Sequence, residues 1–242
     1  MNNDQLEKKE LIKKEMDAFI SHERKKYPLR KEVIALSQNF LLCAKIDIQS
    51  CKILYENKQY PSSTYHLQQA SEKLMKSYAL RNGEISENEL IRPISHVSPK
   101  LFPHLANKLS DYKNLIEAIY PDVFLIAKTT QKFLDDPENH LKLAQVSYKD
   151  IKSIFEKYKI EVVKNKMFTK QEMMIALLYV ISFITFPHEK FSRYPDGKMK
   201  PTDYTQDLGI VMATPELIKY LEEIHKYLQK EKISNKPFPP LE

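Results

Sequence analysis

The sequence predicts an all-α protein, and three observations carry that expectation. Only 3 glycines occur in 242 residues, Gly83, Gly197 and Gly209, each in a segment that reads as a loop. A β-rich chain needs more turn glycines than that. Lys, Glu, Leu, Ile and Gln are abundant, which favours helix. Apolar residues recur at alternating steps of three and four along several segments, the signature of one helix face.

Residues 1–30 read as an N-terminal helical extension: 4–27 are charged and helical in pattern, and Pro28 stops them. The next segment carries Ile34, Ser37, Leu41, Ala44, Ile48, Cys51 and Tyr55, one stripe of a long helix. "ENKQYPSS" breaks that helix, and Pro61 suits the first turn of its successor. In "YHLQQASEKLMKSYALRNG", residues 65–83, Leu67, Ala70, Leu74 and Tyr78 share a face, with Gly83 in the C-terminal cap region. At 100° per residue Gln69, Glu72, Lys73 and Lys76 lie roughly opposite. Glu72 and Lys76, four apart in the favourable order, are expected to pair along the surface.

"EISENELIRPISHVSPKLFPHL" is punctuated by proline and reads as irregular. Helical patterns resume over 104–120, 122–135 and 141–165, separated by Pro121 and "DDPEN". "TKQE" at 169–172 is a capping box, with Thr169 and Glu172 bonding reciprocally to the backbone. It launches the uncharged run Met173 to Phe186, "MMIALLYVISFITF". A spanning helix needs about 20 residues, so this run is expected to be buried on all sides or to form one face of a subunit contact. "HEKFSRYPDGKMKPTDYTQDLG" has no helical periodicity, and a loop that long in a compact domain is usually functional or disordered. The last helix is expected to start with Thr214 as cap and Pro215 in its first turn, on the stripe Leu217, Leu221, Ile224 and Leu228. Residues 236–242 read as an extended tail.

The net charge of +6 comes from 38 basic and 32 acidic residues, largely intermixed. That surplus suits nucleotide or RNA binding and equally suits a lysine-rich solvated surface. Cys43 and Cys51 fall on one helix without a partner cluster, so they read as small core residues rather than a disulfide or metal site. The N-terminus has no apolar core of the signal-peptide kind. A cytoplasmic protein without a membrane span is expected.

Familiar catalytic fingerprints are missing. No glycine-rich phosphate loop, paired-cysteine motif or His-Glu-x-x-His occurs, and "HEKFS" at 188–192 lacks the second His. No cofactor and no metal site is expected. His22, His66, His104, His140 and His225 are scattered and read as surface residues. Two features stand out: the polar face in 65–76, and "FSRYPDGKMKPTDY", where Arg193, Lys198 and Lys200 alternate with Phe191, Tyr194 and Tyr204. Interleaved cations and aromatics can hold phosphates and stack bases. The competing reading is a loop packed back on the bundle by its aromatics.

The stretch "AKIDIQSCKILYENKQYPSSTYHLQQASEKLMKSYALRNG" resembles the first two helices of HEPN domains (higher eukaryotes and prokaryotes nucleotide-binding). Ala44, Asp47, Tyr60, Gln68, Gln69, Ala70, Glu72, Lys73 and Lys76 match that family's pattern of an Ala-x-x-Asp helix, an aromatic turn and a Gln-Gln-Ala-x-Glu-Lys helix. Arg193, Tyr194, Pro195 and Asp196 match its Arg-Tyr-Pro-Asp stretch. His96 stands where members have His-Asp-Leu, but Val97 and Ser98 follow it here. The resemblance covers about 33–101 and 186–232 of a domain read as 31–235, with a helical insertion over about 102–185.

The resemblance implies an up-and-down helical bundle, a homodimer, and a nucleotidyltransferase or antitoxin partner. A subset of the family are metal-independent ribonucleases using an Arg followed after four to six residues by His. Arg92 and His96 enclose only three residues, and Pro93 disfavours regular helix between them. Such chemistry needs an imidazole for proton transfer and a guanidinium for the phosphorane charge, roles that His96 and Arg193 can fill only by converging in space. The expected ligand residues are Gln69, Lys73, Lys76, His96, Arg193 and Tyr194, binding a nucleotide or RNA phosphate. An endoribonuclease toxin and a non-catalytic interaction module are the alternatives, in a toxin-antitoxin or defence setting.

Overall fold

The computed structural model describes residues 31–108, 123–164, 170–195 and 198–230, together with positions 14, 110, 113, 114 and 117. Among the described residues every element is helical and no strand occurs. Apart from position 14, the N-terminal extension lies outside them, as do the Thr169 cap and the C-terminal tail.

Helix α1 (Lys31–Glu56) buries Val33, Ser37, Leu41, Ala44, Asp47, Ile48 and Cys51 along one stripe. The chain reverses through 57–59 with Lys58 at φ 60°, and α2 (Tyr60–Arg81) starts with Pro61 in its first turn. A proline there gives up no intrahelical hydrogen bond. The two helices pack antiparallel: the Ser63 hydroxyl donates to the Cys51 carbonyl at 2.8 Å, and the Ser77 hydroxyl to the Ser37 carbonyl at 2.8 Å. Gly83 takes φ 67° just past α2, a left-handed position that glycine adopts without a Cβ penalty.

The proline-punctuated stretch after α2 is more ordered than expected. Ser86 caps a single turn at Glu87–Glu89, a π-helical turn spans Leu90–Ile94, and a 3-10 turn spans Ser98–Lys100. There follow α3 (Leu101–Lys108), α4 (Val123–Asp135), α5 (Pro137–Ala144), α6 (Tyr148–Lys164) and α7 (Lys170–Thr185). Asp136 caps α5 by accepting from the Glu138 N–H at 2.9 Å. Over 173–185 no described side chain is exposed, but only Leu178, Ile181, Ser182, Ile184 and Thr185 are buried. Helix α7 therefore sets one side into the core and leaves the other partly open, rather than being buried on all sides. A hydroxyl pair, Ser71–Thr185 at 2.8 Å, ties it to α2.

The long segment after α7 contains one helical turn, α8 (His188–Phe191), and a 3-10 turn at Pro201–Asp203. The last helix, α9 (Gly209–Lys230), starts five residues before the expected cap. Thr214 is not a cap; it is buried inside α9 and its hydroxyl donates back to the Ile210 carbonyl at 2.8 Å. Pro215 likewise sits inside the helix, where it supplies no N–H to Val211.

Gly209 reads in the sequence as a loop residue; in the structure it opens α9. A Cβ there would stand 2.0 Å from the Val146 carbonyl oxygen and 2.8 Å from the Tyr148 nitrogen. Only glycine lets α9 begin against the backbone that leads into α6.

Helix α9 closes the core over α1 and α2. Leu217, Leu221, Ile224 and Leu228 are all buried, as their spacing predicts. The His225 Nε2 lies 3.2 Å from the Leu41 carbonyl, and the Arg81 guanidinium donates to the Leu228 carbonyl. Cys51 is buried, but Cys43 is exposed; it points to the flank of α1 that the core stripe leaves open. No helix among the described residues is long and apolar enough to cross a membrane.

Candidate functional site

The polar face of α2 is not a solvated surface. Gln68, Glu72 and Lys76 are at most 7% exposed. The Gln69 amide donates to Gln68 at 2.7 Å, and Gln68 donates to Glu72 at 2.9 Å. Lys76 reaches the other Glu72 oxygen at 2.6 Å. The expected Glu72–Lys76 pair therefore forms, but inside the protein. A buried carboxylate is tolerable only when its lone pairs are filled, and the Gln-Gln-x-x-Glu-x-x-x-Lys spacing fills them along one helix.

A second carboxylate joins α1 to α2. Asp47, 6% exposed, accepts from Lys73 on one oxygen and meets His66 Nδ1 at 2.8 Å on the other. Lys73 and His66 both remain partly open to solvent. An imidazole whose Nδ1–H donates to a carboxylate presents Nε2 as its basic nitrogen. By sequence alone His66 reads as an unremarkable surface residue, and the Asp47 contact corrects that. Its signal in the sequence is its place on the same α2 face as Lys73, seven residues on, both reaching Asp47 of the Ala-x-x-Asp helix.

His96 arrives from the turn after α2. The backbone between Arg92 and His96 is not a regular α-helix: the π-helical turn ends at Ile94, and Ser95 takes φ 44°. This left-handed position, costly for a residue with a Cβ, places His96 Nδ1 3.4 Å from Glu72 Oε1. His96 itself is exposed, with 67% of its side chain open.

Arg193 comes from the far end of the chain. Its guanidinium carbon lies 4.8 Å from the ring centre of Tyr65 in α2 and 4.8 Å from that of Tyr194. Its nitrogens reach the Tyr65 hydroxyl at 3.4 Å, the Tyr194 hydroxyl at 3.0 Å and Glu189 at 2.7 Å. Tyr65 is one helical turn from Gln69 and about 10 Å along the axis from Glu72. The Tyr65 and His66 rings meet edge to face with centres 5.4 Å apart. The face of α2 thus runs from Arg193 on Tyr65, past His66 and Gln69, to His96 on Glu72.

The segment bearing Arg193 is held by its neighbours. Phe191, Met199 and Tyr204 are buried, while Arg193, Tyr194, Lys198 and Lys200 are exposed. Two of its aromatics, Phe191 and Tyr204, pack back on the bundle, and its cations face outward with Tyr194. His188 is buried and its Nδ1 pairs with the Tyr204 hydroxyl at 2.7 Å. Burial pulls the His188 pKa down to about 3, so the ring is neutral.

A family model described as HEPN domain matches residues 37–185, more than half of the chain. The chain belongs to the HEPN domain family. No curated protein and no solved structure matches it. The HEPN match takes in α1, α2 and the whole of the 102–185 stretch read as an insertion, and it ends before Arg193 and Tyr194.

Of the six expected ligand residues, the HEPN bundle puts Arg193, Tyr194 and His96 at the surface and leaves Gln69 and Lys73 partly open. Lys76 is committed to Glu72 and lies 5.8 Å over the Phe40 ring. Tyr65, His66 and Glu189 belong to the same region and escaped the sequence reading. The other histidines are also not plain surface residues: His225 is buried, His104 pairs with Glu89 at 2.8 Å, and His140 packs on Phe186 at 4.9 Å. His22 lies outside the described residues. No cluster of metal-ligating side chains occurs among the described residues.

Proposed function

We propose that this HEPN protein binds the phosphate of a nucleotide or RNA along the α2 polar face, as a homodimer, in a toxin-antitoxin or defence setting. The observation that supports it is Arg193 lying on Tyr65, which sets the exposed Arg193–Tyr194 pair against α2 next to His66 and one helical turn from Gln69. Arg193 is partnered by Glu189 on the surface, with side chains 36% and 23% exposed. Such pairs contribute about 0–1 kcal/mol, so an incoming phosphate can exchange for Glu189 at little cost. Lys73 is held more firmly by buried Asp47, and it contributes field rather than a free hand. The exposed ring of Tyr194 offers a base a stacking surface.

Titration of the protein with nucleotides and short single-stranded RNAs at increasing salt tests this reading. Affinity should fall as salt rises, because neutralised phosphates release counterions. Arg193→Ala should weaken binding, and a ligand signal indifferent to both salt and Arg193 would end the proposal. Whether an adjacent reading frame encodes a small nucleotidyltransferase or an antitoxin tests the setting.

The ribonuclease reading draws on His66. With Asp47 on its Nδ1, its Nε2 can take the proton of an RNA 2′-hydroxyl as O2′ bonds to phosphorus and the P–O5′ bond breaks. The proton then passes to the leaving 5′-oxygen, giving a 2′,3′-cyclic phosphate and a 5′-hydroxyl. Arg193 can steady the phosphorane charge, and His96 is the second candidate imidazole. RNA incubated with the protein in chelator decides it. Cleavage retained by His66→Ala, His96→Ala and Arg193→Ala together would trace to a contaminant.

A further inference from the structure

Helix α1 has a second face that the bundle does not use. Opposite its buried stripe, Ala35, Asn39, Leu42, Ile46, Gln49 and Ile53 are all exposed. Their steps run four, three, four, three, four, which is the heptad spacing of a coiled-coil seam. Leu42 and Ile46 are each 61% exposed and Ile53 is 59% exposed. A row of large aliphatic side chains in water along one helix marks an interaction surface, because scattered single residues would show no such period.

The pattern is also self-complementary. Read outward from Ala44, Leu42 mirrors Ile46, Asn39 mirrors Gln49 and Ala35 mirrors Ile53. A two-fold interface requires that if residue i meets j, then j meets i. Two copies of α1 laid antiparallel about an axis at Ala44 satisfy this at every position. Leu packs on Ile, the small Ala35 sits against the larger Ile53, and each Asn39 amide meets a Gln49 amide that can both donate and accept. Paired amides inside an apolar seam fix register, since a slip would set an amide against a Leu or Ile.

We propose that this face is the homodimer seam, with a second copy of the chain as its occupant. The inference rests on the homodimer reading above and is independent of the ligand. It places the two exposed Cys43 thiols on the same flank of the axis, offset by about 3 Å along it. The two Lys45 side chains share the opposite flank. Salt screens their repulsion, so the dimer tightens or holds with salt, whereas phosphate binding weakens.

Sedimentation equilibrium of the full chain tests the seam, together with Leu42→Glu and Ile46→Glu. The wild type should be a dimer, and each substitution should raise its dissociation constant on the order of 100-fold with helical circular dichroism retained. A short bis-maleimide should bridge Cys43 to Cys43 in the wild type and yield no covalent dimer in Cys43→Ser. A dimer indifferent to both substitutions would show the copies meeting elsewhere and overturn the seam while sparing the homodimer. A monomer at all concentrations, including one in which residues 1–27 cover α1, would overturn both, and RNA or nucleotide titration of that monomer would still read the ligand site separately.

Discussion

The Arg193 guanidinium lies 4.8 Å from the ring centre of Tyr65, across 128 residues of chain. This contact brings the turn after α8 onto the N-terminal half of α2. It is the geometric reason that the Arg-Tyr-Pro-Asp stretch and the Gln-Gln-Ala helix form one surface.

Arg193→Ala should reduce RNA or nucleotide affinity by about 10-fold or more and flatten its salt dependence by roughly one phosphate contact. Arg193→Lys should recover the salt slope better than the affinity, because an ammonium lacks the planar fork that stacks between two rings. Since the Glu189 pair is exposed, unfolding stability should change by less than about 1 kcal/mol. Denaturant titration beside the binding isotherms separates the two effects.

The Glu72 network should behave in the opposite way. Lys76→Met removes the counter-charge of a buried carboxylate and should cost about 3–5 kcal/mol. Pairing it with Glu72→Gln, which leaves a neutral amide whose oxygen Gln68 can still satisfy, should recover much of that loss. Urea unfolding of the single and double variants measures the coupling. Full additivity would mean that the two side chains do not share one site.

His188 ties stability to pH. Its folded pKa is lowered from 6.5 to about 3 by burial, so the unfolded chain binds the extra proton. The stability it contributes is complete above about pH 6.5 and falls as pH drops toward 3, by up to about 1.4 kcal/mol per pH unit. His188→Gln can keep a hydrogen bond to Tyr204 without titrating. Wild type minus variant should show this slope in that window, and parallel curves would remove His188 as its source. Glu89 loses its contribution lower down: burial raises its pKa, but bonds from Lys108, Ser86 and His104 outweigh that and hold it to about 2.

Gly209→Ala should destabilise the fold by roughly 1–3 kcal/mol or more. The new methyl would meet the Val146 carbonyl and the Tyr148 nitrogen, and backbone cannot rotate aside as a side chain does. Thermal melts of Gly209→Ala and of Gly83→Ala compare two different penalties, a steric one at the start of α9 and a positive-φ one after α2.

The helices were legible because their information is local. Ser37, Leu41, Ala44, Ile48 and Cys51 announce the buried stripe of α1 by spacing alone, and Leu217 to Leu228 do the same for α9. The candidate site was legible only in part. Glu72 and Lys76 follow the pattern of a solvated pair, and nothing within their own helix says that His96 comes to Glu72 and that Lys76 lies over the Phe40 ring of α1. His66 looked idle because its partner, Asp47, is on another helix.

By itself, then, the amino-acid order determined the all-α fold class and the core-facing stripes of α1, α2 and α9. Tertiary structure alone decided which charges of α2 went inside, that Gly209 must be a glycine, and that Arg193 rests on Tyr65. The division follows from range. Periodicity is set by dihedral geometry within a few residues, whereas burial and long-range pairing depend on what the rest of the chain brings alongside.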